Sequence, residues 1–466
     1  MNKRMYNDRQ IAQTFSWIEI WFALLLNYSM QTFSISKVHI QFREVFGMKK
    51  ALSLLTVSAL SIGMLSACGP KDSGKKEESK AKKDYDLLVW EDDKKGVGLE
   101  PAVKSFEEKY KVKVKVVEMQ MTDQVKKLRL DGPAGTGPDV VTLPHDQIGN
   151  AVTEGLLSEV KADDAVKSKF TDSSIEAQTY NGKLYGLPKA IETPVFIYNK
   201  KLMPKAPETM DELFNFSKEF TKDGKYGFLA LGDNFYFANA FMAGMGGYVF
   251  GEKDGKPNAS DVGLNNSGAV QGAEYLQKWY KEKLFPKGII GESGGPAADG
   301  LFNEGKAASI MNGPWAFQAM EKNGIDYGVA PMPKLPNGQP MKTFVGVKGW
   351  HVTSFSKQND LATKFTEWVT NEENAKIRFE KTKEIPPVKA VMEDPIIKDN
   401  EAAKAVATQS ENGIPMPNIP EMQEVWKPAG DALQLVVTDK EAPKAALDNA
   451  VKQIKGNIEA NHSKKK

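Results

Sequence analysis

Carboxylates and aromatic rings carry most of the chemistry this chain could perform. The acidic run Glu91-Asp92-Asp93, followed by Lys94 and Lys95, closes the apolar stretch Leu87-Leu88-Val89-Trp90. Asp146 follows a second such stretch ending at Leu143, and Glu192 follows Tyr185 to Ile191. In open α/β sheets ligands collect beyond the carboxyl ends of the strands, so acids placed there are candidates for a binding site. Each acid alone reads as an exposed loop charge or a helix cap; their shared placement singles them out. Aromatics gather in Phe235-Tyr236-Phe237 and in Asn312-Gly313-Pro314-Trp315-Ala316-Phe317, two stretches that read as loop-rich, with Trp426 as a third candidate. Pro314 suits the first turn of a helix, which sets Trp315 at a helix start. Flat rings and ionised carboxylates complement the apolar C–H face and the hydroxyl rim of a pyranose. Core packing is the other use for such rings, and Trp279 and Trp368, on periodic helical faces, are assigned to it.

Other chemistry is weaker. Gly291-Glu292-Ser293-Gly294-Gly295-Pro296 matches a nucleophile-elbow pattern, but only Ile289-Ile290 precedes it where a strand is required, so it reads as a glycine-rich loop. The four histidines, His39, His145, His351 and His462, include no pair at i, i+4 spacing, which argues against a zinc site. His145 reads as a structural hydrogen-bonding residue. Cys68 is the single cysteine, so no intramolecular disulfide can form. No cofactor is indicated.

Leu99, Val103, Phe106 and Tyr110 recur at helical spacing after the first apolar run, and Val112, Val114 and Val116 alternate with lysines as a half-buried strand. A charged helix from Asp123 to Leu130 then leads through the turn Gly132 to Pro138 into the strand Asp139 to Leu143. This β-α-β-α-β order predicts an α/β protein with a parallel or mixed sheet. Further helices are expected after Asn266 and Ser267, around Leu361 to Val369, and from Pro443 to Ile458. The formal net charge is +2 over 466 residues, and from Cys68 onward acids slightly outnumber bases, which argues against nucleic acid as a partner. A chain of this length is expected to divide into two domains or lobes.

Lys49 and Lys50, the apolar Ala51 to Met64 and the small residues Leu65-Ser66-Ala67 have the layout of a secretory signal, and the apolar part is short for a bilayer span. With Cys68 next, the segment resembles a bacterial lipoprotein signal, which implies a lipid anchor on that thiol. Residues 48–67 are thus expected to be the signal, 68–83 a lipidated tether, and 1–47 a doubtful extension upstream of it.

Ten segments in one order carry a wider resemblance: WEDDKKG (90–96), Gly137-Pro138-Asp139, His145-Asp146, Gly155-Leu156-Leu157, Tyr180 to Leu184, Ile197 to Lys200, Gly246-Gly247-Tyr248, Asn312 to Trp315, Phe344 to Val347 and Met416 to Pro420. From about Leu87 to the last helix the chain resembles the maltose/maltodextrin-binding proteins, the extracytoplasmic receptors of ABC sugar importers. The resemblance implies a two-lobed periplasmic-binding-protein-like α/β fold with a hinge crossed more than once. Lobe 1 would be 84–191 plus 344–395, and lobe 2 would be 192–343 plus 396–466. It also implies roles. Asp92 and Lys95 would contact hydroxyls at one end, Asp146 and Glu192 would accept paired hydroxyl hydrogen bonds, Tyr236, Trp315 and Trp426 would stack on successive sugar faces, and Met416 would line the groove. Implied partners are a maltose or maltodextrin ligand, ABC permease subunits and the membrane, with the protein itself a monomer and not an enzyme. Leu143, Gln147, Lys94, Lys427 and Gly430 depart from the family pattern, which leaves ligand length and linkage open. Alternatives are a secreted glycoside hydrolase, or a receptor for cyclodextrin or galacto-oligosaccharides.

Overall fold

The computed structural model describes residues 84–462; the signal, the tether, Cys68 and the leading extension lie outside the described residues. β1 (Leu87–Asp92), β2 (Val114–Met119) and β3 (Val140–Pro144) alternate with the helices Gly96–Tyr110 and Met121–Asp131, in the expected order. β1 pairs in parallel with both β2 and β3. Its continuous apolar run suits a strand covered on both faces, whereas the lysine-alternating β2 is half-exposed. β4 (Thr179–Tyr180) and β5 (Lys183–Leu184) form a small hairpin whose turn residues Asn181 and Gly182 have φ of 50° and 76°.

β6 (Leu187–Glu192) ends the first pass, and β7 (Val195–Asn199) begins a second sheet three residues later. After the hairpin of β8 (Phe250–Lys253) and β9 (Lys256–Val262), β10 (Ser309–Asn312) and β11 (Tyr327–Ala330) flank β7 antiparallel. β12 (Phe344–Val352) then returns to the first sheet, antiparallel between β3 and β6. β13 (Ile414–Pro415) pairs in parallel with the start of β12. The first sheet thus has six strands in the order β13-β12-β3-β1-β2, with β6 also on β12, and the second has three in the order β10-β7-β11.

The helices form two packed groups. Gly96–Tyr110 packs on Asn359–Val369 and Glu372–Thr382, where the Phe106 and Phe365 rings meet edge to face at 5.2 Å. On the other side Phe235–Gly244, Ser267–Lys281, Trp426–Val437 and Pro443–His462 pack together. The Asn266 side chain caps the second of these by accepting from Ala269 N at 2.8 Å, and Trp279 on it is fully buried against Phe214, Phe228 and Phe285. Each fully buried Phe in these cores contributes roughly 1.5–3 kcal/mol.

Both aromatic stretches depart from the loop-rich reading: residues 312–317 run from the end of β10 through a 3-10 turn into the helix Phe317–Lys322. Phe235-Tyr236-Phe237 is not a loop but the first turn of helix Phe235–Gly244, capped by Asn234 Oδ1 accepting from Tyr236 N at 3.0 Å. Nearly every residue of that helix is buried, so it has no polar face and its sequence lacks helical periodicity. Among the described residues no helix is long and apolar enough to cross a membrane.

Candidate functional site

Strand ends of the first sheet position the acids. β1 terminates at Asp92, whose Oδ1 accepts from Asp93 N at 2.9 Å and Met121 N at 3.2 Å. Glu91, one residue earlier, points the opposite way, as strand alternation requires. The sequence treats it as part of an exposed acidic run, yet it is fully buried against Lys189 at 2.6 Å. Lys95 stands just before the first helix, buried, with Nζ 3.4 Å from the Trp315 carbonyl and 3.5 Å from that of Thr382. Burial lowers its pKa, with Glu384 opposing.

β3 ends in the single turn His145–Gln147 that carries Asp146. His145 is buried and both ring nitrogens are committed: Nδ1 accepts from Val347 N at 3.0 Å and Nε2 meets Met416 O at 2.8 Å. Accepting at Nδ1 leaves the proton on Nε2, so the ring is a neutral brace between β12 and the segment at Met416. Burial accordingly pushes its pKa down to about 4. Asp146 beside it is buried, and desolvation raises its carboxyl to about 7, while the Gln423 and Trp426 side chains pull it down and Glu192 pushes it up. Gln423 Nε2 also donates to the Asp146 carbonyl at 2.9 Å.

Glu192, the last residue of β6, sits opposite Gly346 of β12. A Cβ at Gly346 would come within 3.3 Å of Glu192 Cγ and 3.2 Å of Met416 Cε, so the glycine makes room for both side chains. Burial raises the Glu192 pKa, and Lys348, 3.0 Å from its Oε2, opposes the rise.

The rings form a connected series. Trp315 is half-buried in the 3-10 turn Pro314–Ala316 after β10, with Pro314 in its first turn as expected. Its ring centroid lies 6.1 Å from that of Tyr236, which stacks on Phe344 at 6.1 Å, which in turn meets Trp426 edge-on at 5.7 Å. The Tyr236 ring is half-buried, but its hydroxyl is buried without a hydrogen-bond partner among the described residues. Desolvation raises that phenol well above its usual pKa, and Glu192 and Asp146 raise it further. The donor therefore lies within electrostatic reach of two carboxylates and is satisfied by neither.

The structure thus brings Asp92, Lys95, Asp146, Glu192, Tyr236, Trp315, Met416 and Trp426 into one neighbourhood. A groove of about 530 Å³ continues past Trp426, lined by Asp233, Asn234, Glu292, Asp431 and Gln434 among others. The segment 291–296, read from the sequence as a glycine-rich loop, is a turn whose Gly294, Gly295 and Pro296 open the helix Gly294–Asn303. Gly291 N donates to Asp233 Oδ2 at 2.7 Å, so this segment forms a wall of that groove, whose lining includes no histidine. Leu143 is buried in the core, and Lys427 is exposed and paired with Asp431 at 2.7 Å. Lys348, Glu384, Phe344 and Gln423 were not identified from the sequence. The one available signal was Lys348 itself, a lysine in the middle of the run Phe344 to Val352. Among the described residues no group of side chains could hold a metal ion.

Gly313 gives a direct test of the indole's position. A Cβ there would overlap the Trp315 ring, while the φ of Gly313, −129°, is open to any residue. Gly313→Ala is therefore expected to displace the indole and weaken ligand binding by about tenfold, with the fold intact. Calorimetric titration and far-UV circular dichroism of the variant check this.

Residues 101–405 match the family described as bacterial extracellular solute-binding protein. A galactooligosaccharide-binding protein of Bacillus subtilis (strain 168) is 50% identical over 420 residues, 90% of this chain and 99% of that one. The maltodextrin-binding protein MdxE of the same organism is 38% identical over 90% of this chain and 99% of its own length. The crystal structure of a cyclo/maltodextrin-binding protein complexed with maltotetraose superposes with a TM-score of 0.70 at 42% identity, covering 83% of this chain and all of that one. These relatives are binding proteins rather than enzymes, and their two-lobed fold is the one built here from two sheets. The chain belongs to the bacterial extracellular solute-binding protein family.

Proposed function

We propose that this protein holds a neutral oligosaccharide, chemically unaltered, between Asp92, Lys95, Asp146 and Glu192 of the first sheet and Tyr236, Trp315 and Trp426 beyond it. It then presents the sugar to ABC permease subunits, working as a monomer. The observation that carries this is the Tyr236 hydroxyl, buried, unpaired and within reach of both Glu192 and Asp146, at the meeting of the ring series and the acids. Rings cover sugar faces and carboxylates take paired hydroxyls. Residues 84–191 with 344–395 form one lobe and the remainder of 192–466 the other. Because Asp146 and Trp315 come from different lobes, the sugar touches both only when they close, and that differential contact shifts the equilibrium toward the closed form.

Three ring contacts at ~0.5–1.5 kcal/mol each beyond burial and several charge-assisted hydrogen bonds at ~1.5–3 oppose an association cost of at least ~4. The net, about −8 kcal/mol, corresponds to a Kd on the order of 1 μM. Maltodextrin is the first ligand, supported by the ring series and by the 42% identical neighbour titled as a maltotetraose complex. Galacto-oligosaccharide is the second, favoured by the 50% identical relative of that name. Titration with maltotriose and with galactotriose decides between them, and chromatography showing the recovered sugar intact separates binding from hydrolysis. Failure of both sugars to bind below about 1 mM refutes the reading.

The Asp146 carboxyl makes affinity depend on pH. Its folded pKa, raised by burial from 3.8 to about 7, lends the free protein stability at low pH that is lost as pH climbs through about 7. The ionised form accepts hydroxyls, so affinity is expected to rise about tenfold between pH ~6 and ~8. Asp146→Asn is expected to flatten that profile; a wild-type profile already flat removes Asp146 from the binding step.

A diacylglycerol on Cys68 would hold the protein at the outer face of the cell membrane by two acyl chains, enough for stable anchoring. Cys68→Ser is expected to move the protein from the membrane fraction to the medium.

A further inference from the structure

A lysine in the middle of a buried strand needs a reason, because an ammonium taken from water is costly unless it is paired. Lys348 lies at the centre of β12, its side chain 3% exposed, in register with Pro144 of β3 on one side and Ala190 of β6 on the other. Its Nζ is 3.2 Å from Asp92 Oδ2 at the end of β1, 3.0 Å from Glu192 Oε2 at the end of β6, and 4.0 Å from Glu384 Oε1. It spans the ends of two strands that are not paired with each other in the sheet, and at both ends stands a candidate sugar acceptor.

We propose that Lys348 is the positioning residue of this site: its ammonium holds one oxygen each of Asp92 and Glu192 and so fixes where their remaining acceptor capacity points. The proposal rests on the sugar site described above. With Oε2 engaged at 3.0 Å, the Glu192 carboxylate is held in one orientation, so a sugar hydroxyl meets an oriented acceptor rather than a rotating one. Lys348 also keeps the acids charged. Burial works against ionisation of Glu192, and Lys348 is the main charge opposing that effect. Burial would likewise lower the Lys348 pKa, but Glu192, Asp92 and Glu384 outweigh it and raise the pKa. The other charged groups in the network are Lys95, Lys189, Glu91 and Arg378, each of which interacts with Glu384. Removing Lys348 therefore takes away the cation that favours the ionised form of Glu192 and leaves the carboxyl free to turn.

The test is calorimetric titration of the full chain with whichever of maltotriose and galactotriose the wild type binds. Lys348→Met, Glu192→Gln, their double variant and Trp315→Ala are compared at pH ~6 and ~9. Lys348→Met is expected to weaken binding by about thirtyfold at the lower pH, with the defect relative to wild type shrinking at least about threefold at the higher pH as Glu192 ionises. Taking the ratio to wild type cancels the Asp146 contribution. The double variant removes both charges of the pair, keeps the fold even where Lys348→Met does not, and is expected to bind within about threefold of Glu192→Gln alone. An equal defect at both pH values with additive losses in the cycle makes Lys348 structural only and overturns the proposal, as does wild-type affinity in Lys348→Met. If Trp315→Ala also binds as wild type, the sugar site itself is misplaced and the proposal falls with it.

Discussion

Replacing Trp315 with alanine is expected to weaken oligosaccharide binding by at least about tenfold while the protein stays folded. The indole is half-buried and sits at the end of the ring series, touching Tyr236 and Phe237 at the edge of the core. Its removal takes away one ring contact worth ~0.5–1.5 kcal/mol beyond burial, together with the area that ring covers on the sugar. The cost to the free protein is small, and a melting shift of only about 2 °C is expected. Calorimetric affinity and a thermal melt, measured on the same sample, separate the two effects. Unchanged affinity removes the indole from the site. Lys95 gives the loss a second component, since its ammonium meets the Trp315 backbone carbonyl and shares whatever displacement the turn undergoes.

Stability, by contrast, is expected to fail at Lys189. Its ammonium is fully buried, 2.6 Å from Glu91 and 3.2 Å from Glu384, and lies 5.2 Å from the centre of the Trp350 ring. Lys189→Ala leaves two carboxylates facing each other out of water, and breaking a buried pair in this way costs ~3–5 kcal/mol. Against a total stability of ~5–15 kcal/mol that is a large fraction. Chemical denaturation of Lys189→Ala should show it, and Lys189→Met combined with Glu91→Gln should recover most of the loss. The pH dependence has a definite sign. Burial opposes ionisation of Glu384, but Lys189, Lys348, Lys95 and Arg378 outweigh it and hold the carboxyl well below the usual range. Its contribution to stability is therefore present above the ordinary carboxylate pKa and is lost only in strong acid.

The parts of this molecule that sequence reveals are those with a period. The β1 to β3 order showed because valines alternate with lysines in β2 and apolar residues recur every three to four positions from Leu99 to Tyr110. The acids at Asp92, Asp146 and Glu192 were visible because each directly follows such an element. Helix Phe235–Gly244 was not, since burial on all sides removes the polar half of the pattern. Glu91 was read with its exposed neighbours because nothing local announces Lys189, which lies 98 positions away. Lys348 had the same problem in a stronger form, with partners on three other segments. Charge pairing across a sheet is a tertiary fact, and only the exceptional residue type in an apolar strand hints at it.

The place of β12 bears on the order in which the molecule can assemble. It enters the first sheet between β3 and β6 roughly 150 residues after β6 has been made, and Glu384 joins the buried charges later still. A nascent chain that leaves the cell amino end first has no finished sheet on which to condense until its last third emerges. Long-range closure of this kind is slow, and it leaves the polypeptide uncommitted to its final form until that late strand is available.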